Sequence, residues 1–315
     1  MGKASRTKVD SSRRERIAAQ RAAERRAEQR RRILIASGSI IAVVAIVVAF
    51  IVVKANSKPP ASTASNGPTG AALASVVSDL TSVPASATDK IGSGGGQVTA
   101  TPKAVTNGTP LTANGKPEML YMGAEYCPYC AAERWAMIQA LSRFGTFSGL
   151  STVHSASVNG AGQSEPYPNT PTFTFHGSTY TSQYLTFTPV ETQTNIPDKT
   201  TGTYTLLETP TKDQQALLTK YDAPPYVPSG SQGAIPFIYF GGKYIIAGAS
   251  YNPQVLAGLS WSKIASDVKN DPSSNVAKAV VGTANYITAA ICKMTGNQPA
   301  SACTSTIQSL ESSLK

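Results

Sequence analysis

The fold of this chain is decided by the stretch EMLYMGAEYCPYC, residues 118–130. Its first part, 118–124, is a compact and largely apolar run with the length of a buried strand. Apolar side chains then recur at helical spacing over 128–144 until a glycine ends the pattern, which predicts an amphipathic helix. Cys127 and Cys130 therefore lie between the end of a strand and the first turn of a helix.

This position favours redox chemistry at the two cysteines. A helix N-terminus has unpaired N–H groups and a partial positive charge, which both favour the nucleophilic thiolate. We expect Cys127, at the exposed mouth of the helix, to attack a substrate disulfide and Cys130, one turn inside, to resolve the mixed disulfide. Pro128 suits the first helical position, where no N–H is needed. Tyr126, Pro128 and Tyr129 are predicted to contact the substrate.

Three charged residues flank the cysteines. Glu125 would oppose a thiolate slightly if it lies close in space. Glu133 and Arg134 follow the motif directly. We interpret these two as a solvated ion pair rather than as part of a rim around the substrate.

The remaining pattern places the chain in the α/β class. Two apolar runs, 235–240 and 243–249, are separated by Gly241-Gly242 and predict a strand–turn–strand hairpin. Residues 159–232 are rich in Thr, Pro and aromatic side chains, and we interpret them as a long insert with strands of its own. Apolar residues at helical spacing predict helices at 71–81, 212–221, 253–268, 273–294 and 304–314.

The N-terminal part of the chain predicts a single-pass membrane anchor. Residues 33–53 contain no charged residue and no proline, and they are long enough to cross a bilayer. Residues 1–32 carry 12 Lys and Arg and four acids, so most of the net charge of +10 lies there. The positive-inside rule places this tail in the cytoplasm and the main domain outside the cell membrane. A cleaved signal peptide is the alternative, and the local origin of the charge argues against a nucleic-acid partner.

The four cysteines all follow the membrane segment, and an even number in an extracytoplasmic chain is typical of disulfides. Cys292 and Cys303 flank a turn and are predicted to form a structural disulfide that holds the last helix. A redox relay from this pair to Cys130 is an alternative. Ten residues separate Cys292 from Cys303, a spacing that argues against a four-cysteine zinc site, and we expect no metal or other cofactor.

The strand, the C-x-x-C helix and the Ile235-Pro236 pair that begins the hairpin together resemble the thioredoxin superfamily. The resemblance implies a thioredoxin-like fold in which the Ile235–Pro236 bond is cis. It also implies that Ile235 and Pro236 hold the substrate peptide beside Cys127. The acid that thioredoxin carries in the strand before its motif is absent from residues 120–122.

At closer range, the chain resembles the archaeal and actinobacterial family called domain of unknown function 929. The pieces of sequence that carry this resemblance are GAEYCPYCAAERW (123–135), Arg143-Phe144-Gly145, Pro171-Thr172-Phe173, Glu191-Thr192, Asn285-Tyr286 and Cys292.

These predictions divide the chain into segments of different character. They are a basic cytoplasmic tail (1–32), a transmembrane helix (33–53), a flexible linker (54–70), a thioredoxin-like domain (71–270) with an insert at about 159–232, and a C-terminal helical extension (271–315).

The sequence leads to two hypotheses of function. The first is an extracytoplasmic, membrane-anchored thiol–disulfide oxidoreductase that acts on exported cysteine-containing proteins and is recycled by a membrane redox partner. Oxidation, reduction and isomerisation of disulfides all remain open within it. The second is a non-catalytic binding or chaperone-like module on the same scaffold, with its cysteines joined in structural bridges.

Overall fold

The structure is a computed structural model that describes residues 67–314. Within this range the chain forms seven α-helices, one 3₁₀ helix and twelve short strands, which confirms the α/β class. The predicted basic tail (1–32), membrane helix (33–53) and most of the linker lie outside the described residues. None of the helices between residues 67 and 314 has both the length and the apolar character needed to cross a membrane.

The elements are numbered in chain order. The helices are α1 (Gly70–Thr81), α2 (Ala85–Ile91), α3 (Pro128–Leu141), α4 (Lys212–Tyr221), α5 (Trp261–Asn270), α6 (Asn275–Thr295) and α7 (Ser305–Ser313), with the 3₁₀ helix at Pro253–Leu256. The strands are β1 (Lys103–Ala104), β2 (Thr112–Ala113), β3 (Lys116–Gly123), β4 (Gly145–Ser148), β5 (Ser151–His154), β6 (Pro171–Thr174), β7 (Thr179–Ser182), β8 (Thr186–Glu191), β9 (Gln193–Asp198), β10 (Thr203–Leu206), β11 (Phe237–Phe240) and β12 (Tyr244–Ala247).

The centre of the described fold is a six-stranded mixed sheet in the order β1–β12–β11–β3–β2, with β8 also paired to β3. β8 runs parallel to β3, and Gly123 lies beside Glu191 at the end of this pair. β11 runs antiparallel to the other edge of β3, with Phe237 beside Met122. β3 is therefore a central strand whose C-terminal end leads directly to the two cysteines.

Both faces of β3 are covered, which explains its composition. Met119 and Tyr121 belong to the larger core, to which α3 and α6 contribute. Leu120 and Met122 point to the opposite face and join the smaller core with residues of α4. A strand buried on both faces has apolar side chains throughout, so residues 118–124 form a continuous run instead of an alternating pattern.

Helix α3 is enclosed by the rest of the domain. It packs against α6, β6 and α1, and all its residues are buried except Tyr129. The prediction of an amphipathic helix is therefore wrong. The side of the helix that an ordinary sheet-packed helix would expose to solvent is covered here by α6.

Two further boundaries differ from those predicted. Strand β8 lies inside residues 159–232, so this part of the predicted insert is a strand of the central sheet. The single helix predicted over 253–268 is divided into the 3₁₀ helix and α5. Ser260 begins α5, because its side chain accepts a hydrogen bond from the Lys263 N–H and caps the new helix.

The C-terminal residues form part of the main core. Helix α6 lies along α3, so the segment predicted as an extension (271–315) contains one of the central helices. Cys292, near the end of α6, forms a disulfide with Cys303 in the loop before α7, with 5.8 Å between their Cα atoms. Both residues are buried, and their bond fastens α7 to α6.

We predict that removing this disulfide with the double substitution Cys292→Ala/Cys303→Ala lowers the free energy of unfolding by about 3 kcal/mol. The bond spans 11 residues of sequence, and the loop-entropy model assigns about that value to a loop of this size. Urea unfolding of the full chain, followed by circular dichroism, measures the difference. The matched control is Cys127→Ala/Cys130→Ala, which removes two free thiols and no cross-link. Equal losses in the two double variants would contradict the prediction.

Candidate functional site

The candidate site is the junction of β3 and α3, where Cys127 is the N-cap residue of the helix. The Cys127 backbone is extended (φ −75°, ψ 120°), and its Sγ accepts a hydrogen bond from the Cys130 N–H, with 3.3 Å between N and Sγ. Pro128 occupies the first helical position, which requires no donor. Both thiols are free. The local sequence thus builds a helix N-terminus that holds a sulfur against an otherwise unpaired N–H.

Both sulfurs are buried, and the prediction of an exposed Cys127 is wrong. Cys127 is 4% exposed and Cys130 is 0% exposed. The reason is the loop before β11, whose Ile235 carbonyl oxygen accepts a hydrogen bond from the Cys127 thiol at 3.7 Å. Cys127 nevertheless lies at the mouth of the helix and Cys130 one turn deeper, in the order that the sequence indicates.

The environment separates the acidities of the two thiols. Burial raises the pKa of Cys127, but its contacts with the Cys130 thiol and backbone N–H, together with the Arg134 charge, outweigh burial and hold this pKa below its ordinary value. Burial raises the pKa of Cys130, and its contact with Cys127 raises it further, to well above the ordinary value. A thiolate therefore forms more readily on Cys127 than on Cys130.

Arg134 and Glu191 form an ion pair in the interior, and both are fully buried. Arg134 Nε and Nη2 donate to the two carboxylate oxygens of Glu191 at 2.8 and 2.7 Å, and Nη2 also donates to the Ala124 carbonyl at 2.7 Å. The interpretation of Glu133 and Arg134 as a solvated pair is therefore wrong. Every residue of α3 after Tyr129 is buried, so the helix offers no solvent-facing position to such a pair.

Glu133 connects α3 to the loop that follows β12. Its two carboxylate oxygens accept hydrogen bonds from the Ser250 backbone N–H and hydroxyl, each at 2.9 Å. Burial raises the pKa of Glu133 to about 7, and the bonds from Ser250 offset this only in part. Glu133 thus fixes the position of the loop at Ser250. The two residues before Ser250, Gly248 and Ala249, line the surface groove beside Ile235.

Glu125 lies two residues before Cys127 and is also fully buried. Neither of its carboxylate oxygens has a hydrogen-bond partner among residues 67–314. Burial raises the pKa of Glu125 to about 7, because the nearby Thr174 hydroxyl and Arg134 guanidinium lower it by less than burial raises it. Glu125 consequently holds a proton well above the pH at which an exposed glutamate loses one.

The Ile235–Pro236 peptide bond is cis, as the thioredoxin resemblance implies. Beside it lies a groove of about 460 Å³, and none of the residues that line it is charged. Ile235 and Tyr129 line this groove, whereas Tyr126, Pro128 and Pro236 do not. The Tyr129 ring is 38% exposed and meets Tyr167 edge-on, with 5.9 Å between ring centroids. Tyr126 instead stacks on Tyr204 at 4.1 Å.

The two histidines of the chain make contacts with residues other than the cysteines. His154 packs edge-on against Trp261, and His176 Nδ1 lies 2.6 Å from Glu208 Oε1. Within residues 67–314, no three side chains of His, Cys, Asp or Glu lie together as a metal site would require.

The pieces of sequence that carry the narrower family resemblance contact one another around the site. The side chain of Trp135 donates to the Pro171 carbonyl at 2.9 Å. The neighbouring Thr172 donates to a carbonyl of α3 at 2.8 Å, and Thr192 donates to the Gly123 carbonyl at 2.9 Å. Arg143 donates to Asn285 at 2.9 Å. The sequence signal that could have indicated buried polar contacts is the pair of charged residues, Glu133 and Arg134, in a helix that otherwise holds small or apolar residues apart from Tyr129 and Gln139.

We predict that Glu125→Gln reduces the dependence of stability on pH, while Glu133, whose pKa is also raised to about 7, maintains the rest of it. The Glu125 pKa of about 7 in the folded chain exceeds the ordinary value of 4.5, so the folded state binds the extra proton between these values. Stability contributed by this proton is present below pH 4.5 and is lost as pH rises through 7, by at most about 3 kcal/mol. Urea unfolding of the full chain from pH 4.5 to 8 measures this loss. The control Asp213→Asn, at an exposed position of α4, should keep the native pH dependence, and an unchanged slope in Glu125→Gln would refute the assignment.

A comparison with protein-family models supports the narrower of the two resemblances. The model described as "Domain of unknown function (DUF929)" matches residues 103–293, which is more than half of the chain. The matched range extends from β1 into α6 and contains both free cysteines and the Arg134–Glu191 pair. Comparisons with curated proteins and with solved structures gave no match. The chain belongs to the family of the domain of unknown function DUF929.

Proposed function

We propose that this chain is a thiol–disulfide oxidoreductase that acts through Cys127 and Cys130. The observation that carries the proposal is the pairing of two free thiols at a helix N-terminus, with 3.3 Å between Cys127 Sγ and the Cys130 nitrogen. The lowered pKa of Cys127 and the raised pKa of Cys130 support the attacking and resolving roles. A structural C-x-x-C bridge would restrain only a very short loop and would stabilise the fold little.

A thioredoxin-like scaffold is part of this proposal. The resemblance calls for a strand, a C-x-x-C helix, further strands and a strand that begins after a cis proline beside the cysteines. Strand β3, helix α3, the parallel strand β8 and the hairpin β11–β12 follow in that order. Pro236 immediately precedes β11, and the Ile235 carbonyl contacts Cys127 Sγ. These features support the assignment.

The proposed reaction is a two-step exchange. The Cys127 thiolate attacks one sulfur of a substrate disulfide, forms a mixed disulfide and releases the other sulfur as a thiolate. Cys130 then loses its proton and attacks Cys127 Sγ, which forms the Cys127–Cys130 disulfide and releases the second substrate thiolate. The two released thiolates take up protons, so the substrate is reduced by two electrons and the protein is oxidised by two. The reverse sequence oxidises a substrate dithiol.

The loop of Ile235 and the groove beside it are the proposed peptide-binding surface. The Cys127 thiol donates to the Ile235 carbonyl, so this carbonyl is free to accept a substrate N–H once Cys127 has lost its proton. Tyr129 and Tyr167 form an aromatic side of the groove. With no charged residue in the lining, the groove suits uncharged and aromatic residues next to the substrate cysteine.

We further propose that the domain lies outside the cell membrane and is held there by residues 33–53, with residues 1–32 in the cytoplasm. Exported proteins with cysteines would be its substrates, and a membrane redox protein would return Cys127 and Cys130 to their working oxidation state. The buried disulfide Cys292–Cys303 agrees with an oxidising compartment.

The second candidate function is a binding or chaperone-like module. The observation that favours it is the burial of both sulfurs beside an uncharged, aromatic groove. Such a module would bind polypeptides at the groove without exchanging disulfides.

We predict that Cys130→Ala accumulates mixed disulfides at Cys127 with exported proteins, because the resolving thiol is missing. Cells that express the full chain are quenched with acid and a thiol-alkylating reagent, and the adducts are separated on non-reducing gels. The matched control Cys127→Ala keeps the resolving thiol of Cys130 and lacks the attacking thiol, so it should form no mixed disulfides. If Cys130→Ala forms no more adducts than Cys127→Ala, and the native thiols do not equilibrate with a glutathione buffer, the enzyme hypothesis fails and the binding module is favoured.

We predict that the chain is an integral membrane protein that keeps residues 1–53. It should stay in the membrane fraction after carbonate extraction, and its intact mass should include these residues. Protease added to spheroplasts should digest the main domain, because the proposed orientation places that domain outside. A soluble product that begins after residue 53 would instead identify a cleaved signal peptide.

A further inference from the structure

Two buried donors beneath the cysteines have no acceptor among residues 67–314. They are Nη1 of Arg134 and the hydroxyl of Tyr121. Both residues are fully buried. Donors in such positions are almost always paired in folded proteins, so an unpaired set calls for an explanation.

The Tyr121 hydroxyl and the Arg134 side chain both lie near Cys130. A Cβ atom built on Gly123 would be 2.1 Å from the Tyr121 hydroxyl and 3.1 Å from Cys130 Sγ, so the two groups lie against the same glycine. Arg134 follows Cys130 by four residues on α3, and side chains at this spacing are neighbours on a helix. The Arg134 guanidinium carbon lies 5.9 Å from the centre of the Tyr121 ring, which brings the three groups into one cluster.

The hydrogen bonds of Arg134 occupy Nε and Nη2 but not Nη1. Glu191 holds Nε and Nη2, and the Ala124 carbonyl accepts a second bond from Nη2. The Glu191 carboxylate also accepts a bond from the Phe175 N–H at 3.3 Å. The guanidinium is thereby held in one orientation, and its remaining amino group has no partner among residues 67–314 while both cysteines are free thiols.

We propose that Arg134 and Tyr121 stabilise the thiolate of Cys130 when it forms in the interior during the resolving step. The inference rests on the proposed function, since it concerns the second step of that exchange. In this step the Cys130 proton is taken up by the departing substrate thiolate, and the Cys130 sulfur forms the bond to Cys127 Sγ. In the reverse direction Cys130 is the leaving group, and the same negative charge appears on it.

The physical reason is the cost of an unpaired charge in the interior. A fully buried anion requires donors or an opposite charge in its immediate surroundings. Arg134 and Tyr121 supply two donors that have no acceptor among residues 67–314 while both cysteines are free thiols. The Arg134 charge lowers the pKa of Cys130 against the larger effects of burial and of Cys127, in agreement with this arrangement. The acid of thioredoxin is absent from 120–122, and the hydroxyl donor Tyr121 stands in the corresponding strand.

The reaction of the reduced full chain with 5,5′-dithiobis(2-nitrobenzoate) tests the proposal, because it separates the two steps. Attack by Cys127 releases one coloured thiolate in a first phase, and resolution by Cys130 releases a second one in a later phase. We expect Tyr121→Phe to slow the second phase about tenfold, the effect of one hydrogen bond to a charged group, and to leave the first phase unchanged. The pH at which the second phase reaches half its maximal rate should rise by about one unit.

The variants are chosen to separate this role from a structural one. Tyr121→Phe removes a hydroxyl that has no hydrogen-bond partner in the described part of the chain. It should therefore not lower the free energy of unfolding in urea, even where it slows the second phase. Arg134→Lys keeps the positive charge but lacks the planar guanidinium. It should slow the second phase less than Arg134→Met does. The control Tyr180→Phe removes a hydroxyl bonded to the last residue of α3 and should leave both phases unchanged.

Two results would overturn the inference. One is a second phase in Tyr121→Phe that matches the unmodified chain in rate and pH profile. The other is an equal slowing of both phases, which would reveal a general disturbance of the helix. If the unmodified chain shows no first phase, the proposed function fails, and this outcome is distinct from the other two.

Discussion

The ion pair between Arg134 and Glu191 is the contact on which the rest of the site depends. It joins the C-x-x-C helix to the end of β8, the strand that runs parallel to the one before the cysteines. Because both side chains are fully buried, loss of either would leave an unpaired charge in the interior, a change that typically costs about 3–5 kcal/mol. The pair therefore keeps helix, strand and cysteines in one relative position.

Other polar contacts hold α3 from its remaining sides. Glu133 binds the loop after β12 through Ser250, Trp135 binds β6 through the Pro171 carbonyl, and Arg143 binds α6 through Asn285. Buried hydrogen bonds of this kind require definite positions of both partners, whereas apolar contacts tolerate sliding. The helix that carries the cysteines is thus fixed by directional bonds on several sides, and the family resemblance lies largely in the residues that make them.

The strand and the helix that form the site could be predicted from the sequence, because each is indicated by the spacing of apolar residues within a short segment. The apolar run at 118–124 indicates the strand, and Pro128 with the following helical spacing indicates the helix. The partners of the buried charges could not be predicted. Arg134 and Glu191 are 57 residues apart, and no local pattern relates them. The burial of Cys127 depends likewise on Ile235, 108 residues further on, and the enclosure of α3 depends on α6.

The enclosure of the two sulfurs also bears on the chemical lifetime of the site. Oxidation of cysteine to sulfinic and sulfonic acids is largely irreversible and follows both thiolate character and access to solvent. Cys127 combines an acidified thiol with only 4% exposure. Peroxides dissolved in the surroundings therefore reach little of the Cys127 surface. The loop that carries Ile235 thus slows the irreversible oxidation of the more acidic of the two thiols.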